Sequence, residues 1–133
     1  MNEEGTELAF ERHFTREEAN ALLPQLKQLL RQLRDAKDEL TDAEAHEVLS
    51  EAAAGNGGGS EGHQVGVAFL EVRRLLEAIE ESGIVLRDID RGLVDFPAVM
   101  DGREVYLCWE LGEDDVGYWH DLESGYRGRE PLD

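Results

Sequence analysis

The chain has 133 residues, enough for one domain around a single hydrophobic core. Hydrophobic residues make up 41% of it, which excludes wholesale disorder despite the heavy charge. With 31 acidic side chains against 13 basic ones, the formal charge of −18 repels nucleic-acid phosphates and anionic lipid and attracts cations and basic partners.

The opening residues, MNEEGTE, are acidic and lack the basic-then-apolar pattern of a secretory signal. No apolar run approaches the roughly 18 residues that a membrane span requires. Cys108 is the only cysteine, so no internal disulfide can form. A cytoplasmic protein with no nucleic-acid or membrane partner is expected.

The first helix announces itself in HFTREEA. Thr15 caps it, Glu18 completes a capping box, and Phe14 before the cap faces Ala19 as a hydrophobic staple. Leu22, Leu23, Leu26, Leu29, Leu30, Leu33 and Leu40 then recur at three- and four-residue steps, which is one apolar helical stripe. Pro24 falls inside the stripe and predicts a kink near the second turn. The helix is assigned to 14–54, with a break at Thr41 as the alternative, because TDAE offers a second capping box. Unbroken, its roughly 39 residues reach nearly 60 Å. One shorter helix and a small sheet cannot cover so long a stripe, so a homodimer through the first helix is expected.

GNGGGSEG interrupts this pattern, and residues 55–64 read as a flexible loop. A phosphate-cradling loop would need a preceding strand and a following Lys-Ser/Thr, which are absent. A second helix spans 65–82, with Ala68, Phe69, Val72, Leu75, Leu76 and Ile79 on one face, and Ser82-Gly83 closes it.

Residues 84–121 then change to strand character. Asp101-Gly102 is a strong hairpin signal between GLVDFPAVM and REVYLCWEL. With those two residues as the turn, Val94 lies opposite Trp109, Phe96 opposite Leu107 and Ala98 opposite Val105, all on one apolar face. The other face carries Asp95, Pro97, Tyr106, Cys108 and Glu110. GEDD makes a further turn, VGYWH returns as another strand, and 122–133 form a tail. The predicted class is α+β: a single domain with a long antiparallel helical hairpin packed on a small antiparallel β-meander.

The segments FTREEANALLPQL, GLVDFPA, LCWELGE and GYWHDLESGYRGREPL resemble a prokaryotic family of uncharacterised small proteins, domain-of-unknown-function family 2203. The resemblance implies a long helical hairpin joined to a small sheet and brings no established activity.

The chemistry-bearing residues gather in YWHDLESGYRGRE. Asp95, Glu113, His120 and Glu123, with Asp121 beside them, are candidate ligands for a divalent metal, since imidazole with carboxylates suits Zn, Mn or Fe. No HExxH, CxxC or paired-histidine spacing supports them, and 31 carboxylates make chance proximity easy. His120 near carboxylates also suits acid–base work, but no nucleophile accompanies it. Ser124 lacks the first glycine of an esterase elbow, and Cys108 reads as a strand residue with no adjacent base. Arg127 and Arg129 either clamp an anionic ligand or pair with internal carboxylates and pin the tail, and the acidic composition favours the pin. Trp109 and Trp119 read as core and edge packing, with Asp95 or Glu113 as acceptors for an indole N–H.

The sequence therefore points to a cytosolic binding or scaffolding protein without catalytic activity. Its C-terminal recognition surface for a small ligand or cation is drawn from Asp95, Trp109, Glu113, Trp119, His120, Glu123, Arg127 and Arg129. The alternative is a metal-assisted hydrolase or transferase using His120. Gly117, Gly125 and Gly128 are expected to let the tail fold back over the end of the sheet.

Overall fold

The computed structural model describes residues 9–54 and 59–133. Helices α1 (Arg16–Ala54) and α2 (Gly59–Glu81) precede five strands: β1 (Val85–Asp88), β2 (Leu93–Met100), β3 (Arg103–Glu110), β4 (Tyr118–His120) and β5 (Glu130–Pro131). The strands pair in chain order as an antiparallel meander, so the fold is α+β, with a helical hairpin against a sheet.

The start of α1 follows from its cap. Glu18 N–H donates to Thr15 Oγ1 at 3.1 Å, and Thr15 N–H donates to Glu18 Oε1 at 2.8 Å, the reciprocal pair of a capping box. Phe14 is buried just before it, and its N–H donates to the Pro97 carbonyl at 2.7 Å, which ties the helix entry to β2. Leu23, Leu26, Leu30 and Leu33 are buried in the core with Leu75 and Ile79 of α2.

The helix runs through Pro24 without ending and does not break at Thr41. Thr41 Oγ1 donates back to the Lys37 carbonyl at 3.1 Å, so its hydroxyl satisfies the turn behind it and caps nothing ahead. Helix α2 starts at Gly59, where the sequence suggested Val65. The residues from Gly59 to Gln64 are thus helical, while Gly55 to Gly58 of the expected loop lie outside the described residues. Helix α2 runs alongside α1 and includes the poor helix formers Gly62 and Gly66. Phe69, expected on the apolar face of α2, is instead 52% exposed.

The β2–β3 hairpin turns at Asp101 (φ 52°) and Gly102 (φ 79°), both left-handed, as a two-residue primed turn requires. The register places Val94 opposite Trp109, Phe96 opposite Leu107 and Ala98 opposite Val105, and all six side chains are buried in the core. Asp95, Pro97, Tyr106 and Cys108 fall on the outer face, where His120 of β4 joins them opposite Tyr106. The expected tail returns as β5, pairing Tyr118 with Pro131 and Trp119 with Glu130. Arg16 of α1 reinforces this end, donating to the Val116 carbonyl and, through both terminal nitrogens, to Asp133.

The outer face is covered in turn. The Phe10 ring lies against Tyr106, with centroids 5.3 Å apart. Glu104 accepts the backbone N–H groups of Ala9 (2.8 Å) and Phe10 (3.0 Å) and pairs with His13 Nε2 at 2.8 Å. Burial opposes ionisation of Glu104, but these donors outweigh it and hold its carboxyl below the usual glutamate range. A carboxyl lowered in the folded state stabilises above its unfolded value, and the contribution is lost as pH falls through the folded value. Glu104→Gln should therefore lower the melting temperature at pH 7. The gap from the parent should close as pH drops below about 4.3, which thermal melts across pH will check.

Candidate functional site

The outer sheet face is an unusual place for charge, because it is nearly as well buried as the core face. Asp95 and His120 are each 2% exposed, and Cys108 between their strands is fully buried. The three offer ligand atoms that all lie within 4.8 Å of one another. Asp95 Oδ1 faces His120 Nε2 at 3.0 Å, and Arg87 Nε donates to Asp95 Oδ2 at 2.8 Å. On the far side of the imidazole, His120 Nδ1 stands 2.7 Å from the Asp121 carbonyl. A carbonyl can only accept, so Nδ1 carries the hydrogen and Nε2 is the atom turned toward Asp95.

Arg87 reaches this site through an irregularity. The pairing of β1 with β2 steps from Leu86 opposite Val94 to Asp88 opposite Leu93, leaving Arg87 as the extra residue of a bulge. Burial works against its charge, and the bond to Asp95 more than compensates, so its guanidinium is held more firmly protonated than usual. Its Cζ also lies 4.9 Å from the centroid of Tyr106, whose ring is 5.4 Å from that of His120.

A second cluster adjoins the first. Arg129 forks onto Glu113, with Nη1 at 3.2 Å and Nη2 at 2.6 Å. Its Cζ lies 3.9 Å from the Tyr118 centroid and 4.3 Å from that of Tyr126, while Arg91 covers Tyr126 at 4.4 Å and donates to Glu110 at 2.8 Å. The Arg129 Nη1 to Cys108 Sγ distance of 3.9 Å joins the two clusters. The guanidinium is thus committed internally and pins the tail.

The segment between His120 and Arg129 forms a rim. Asp121 Oδ1 accepts from the backbone N–H groups of Glu123 (3.0 Å) and Ser124 (2.7 Å), which curl the chain and lower the Asp121 carboxyl. Gly125 (φ 67°) leads into a 3-10 turn at Tyr126–Gly128, and a Cβ on Gly128 would stand 2.6 Å from that of Ser124. Glycine is needed for that fold-back. Beneath the rim lies a cavity of about 310 Å³, with Arg87, Asp95, Cys108 and His120 below and Leu122, Glu123 and Tyr126 around it.

The residues expected to converge therefore divide. Asp95 and His120 meet, and Glu123 borders the cavity above them. Glu113 is taken by Arg129, and Arg127 is exposed without an ion pair among the described residues. Trp109 belongs to the helix-facing core, with its Nε1 donating to the Glu113 carbonyl at 3.1 Å, and Trp119 packs against the same core opposite Leu107. Strand alternation turns both indoles away from His120. Arg87, Arg91, Cys108 and Tyr126 are the additions. For Cys108 the signal was present, since the hairpin register already set it opposite Asp95 on the outer face.

The thiol and the imidazole of the cavity floor are both held by their surroundings. Burial, then the charge of Asp95, pushes the Cys108 thiol up to about 12, far from thiolate at neutral pH. Both ring nitrogens of His120 already have partners. Arg129→Lys keeps the charge but loses the fork and the double ring contact. It should lower stability by on the order of 1–2 kcal/mol in chemical denaturation.

Among protein families, the model described as an uncharacterized conserved protein, DUF2203, matches residues 12–132. No curated protein and no solved structure matches the chain.

Proposed function

We propose that this chain, which belongs to the DUF2203 family, is a binding protein without catalytic activity whose recognition site is the cavity beneath the C-terminal rim. The observation that carries the reading is the buried polar floor of Asp95 and His120 opening into about 310 Å³ of space. That volume suits a small molecule or an ion and is too small for a macromolecular segment. Both His120 nitrogens are engaged, by Asp95 and by the Asp121 carbonyl, and neither is hydrogen-bonded to the Cys108 thiol, which favours holding a ligand over transforming one. Metal-assisted hydrolysis or group transfer through His120 is the competing reading. Among the described residues no helix is long and apolar enough to cross a membrane. That observation and the charge of −18 support a cytoplasmic location without nucleic-acid partners.

Thermal melts across a metal and metabolite panel test the reading. A true ligand at a hundredfold excess over its dissociation constant should add about 2.7 kcal/mol of stability, and His120→Ala should abolish that gain. Turnover of phosphoesters or esters that is lost in His120→Ala would favour the competing reading.

Assembly is a separate proposal. The α1 stripe is covered within one chain from Leu23 to Leu33, so the need for a partner is not there. Val48 and Leu49 on α1 and Val67, Phe69 and Leu70 on α2 remain 52–69% exposed. They lie along the hairpin beyond Lys37, the last α1 side chain hydrogen-bonded to the sheet region among the described residues. We propose that copies pair there as a two-fold dimer. Light scattering should give twice the chain mass at micromolar concentration, and Phe69→Glu with Leu70→Glu should return it to monomer.

A further inference from the structure

The cavity floor has the donors, geometry and support of a metal centre different from the all-oxygen-and-imidazole set that the sequence suggested. The geometry points to a site for one thiophilic divalent cation of the zinc class, held by Asp95 Oδ1, Cys108 Sγ and His120 Nε2. This inference rests on the reading of the cavity as a binding site and names its ligand.

Three observations carry it. The first is spacing. A tetrahedral ion with ordinary zinc bond lengths holds its ligand atoms about 3.3–3.6 Å apart. Here the three candidate atoms lie within 4.8 Å, and one pair is already at 3.0 Å, so only small side-chain shifts separate the site from coordination geometry.

The second is support. A metal-binding imidazole donates its other N–H to a fixed acceptor, which sets the tautomer and aims the free nitrogen. His120 Nδ1 at 2.7 Å from the Asp121 carbonyl is that arrangement, and it aims Nε2 at Asp95 Oδ1, where the ion would take the place of the hydrogen between them. Arg87 does the equivalent for the carboxylate, holding Oδ2 at 2.8 Å and leaving Oδ1 on the side of His120.

The third is chemistry. Thiolate, imidazole and carboxylate together select zinc-like ions over magnesium or calcium, which prefer oxygen alone. One carboxylate and one thiolate offset the two charges of the ion, the Arg87 guanidinium on Asp95 adds one positive charge, and Glu113 and Arg129 neutralise each other nearby. Zinc coordination replaces the hydrogen on the Cys108 sulfur and the hydrogen shared between Asp95 and His120, and both protons pass to solvent. The cavity above leaves room for a fourth ligand, a water or the Glu123 carboxylate, and the net charge of −18 concentrates cations at the surface.

The test uses the full chain, purified after chelation and titrated with zinc in calorimetry and with cobalt in absorption spectroscopy. The expected result is one zinc per chain and a thiolate-to-cobalt charge-transfer band. Cys108→Ser should remove the band and weaken zinc at least tenfold, and His120→Ala should weaken it as much. Glu77→Gln, at an exposed carboxylate paired with Arg73 on α2, should leave both signals intact. Circular dichroism checks that each variant is folded, and Cys108→Ala provides a second probe should serine unfold the chain. Cobalt bound without the charge-transfer band, or zinc affinity unchanged in both folded Cys108 variants, overturns the proposal by placing the ion on surface carboxylates. No stoichiometric zinc, together with a metabolite that stabilises the parent and not His120→Ala, overturns the metal site while leaving the cavity reading standing. Failure of both would remove both.

Discussion

The pairing of β2 with β3 is the constraint on which the other features rest. Side chains alternate along a strand, so a slip of one residue turns over the strand that slips. Were β3 to slip on β2, Leu107 and Trp109 would leave the core and Cys108 would turn into it, away from Asp95. The Asp101-Gly102 turn prevents this, because only residues tolerant of positive φ allow the two-residue connection that sets the register. A local backbone preference thus determines a long-range result: which six residues face the core and which two meet His120.

Burial of the outer face explains why its polar residues are so fully bonded. The helices alone would leave that face to solvent, as in many antiparallel sheets. Here residues 9–13 and 121–129 close over it, so Asp95 cannot be left to water and needs fixed partners. Arg87 and His120 meet that need, and among the described residues no buried side-chain nitrogen or oxygen lacks a partner. Such a cluster seldom adds stability over an apolar packing of equal volume. On the proposed reading, the cluster serves the ligand and not the fold.

Much of this arrangement was legible in the sequence, for identifiable reasons. The capping box at Thr15, the leucine stripe and the hairpin register depend on short-range geometry, and each appears where the residues place it. The meeting of Asp95 with His120 followed from that register plus one more antiparallel return. What was not legible depended on distant neighbours. The Thr41 hydroxyl has two possible partners, the turn behind it and the N–H groups ahead, and local sequence does not choose between them. The glycines of early α2 are poor helix formers that become helical against α1. Arg87 enters the site through a bulge, and no pattern in IVLRDID marks which residue is the extra one. Glu113 looked as available as Asp95 until the tail brought Arg129 to it.

The same tail answers why costly residues gather near the end of the chain. Tyr118, Tyr126, Arg91 and Arg129 alternate ring and guanidinium, so each cation is held by an aromatic face as well as a carboxylate. Glycines at 125 and 128 allow the tight return, and β5 secures it to β4. The result is a rim assembled last in sequence yet fixed to β4 by β5, to the turn after β3 by the Arg129–Glu113 fork, and through Arg91 to the loop before β2. Anything that loosens the Arg129–Glu113 fork must also loosen the cover over Asp95, Cys108 and His120. On the proposed reading, access to the buried floor is therefore coupled to the stability of the tail.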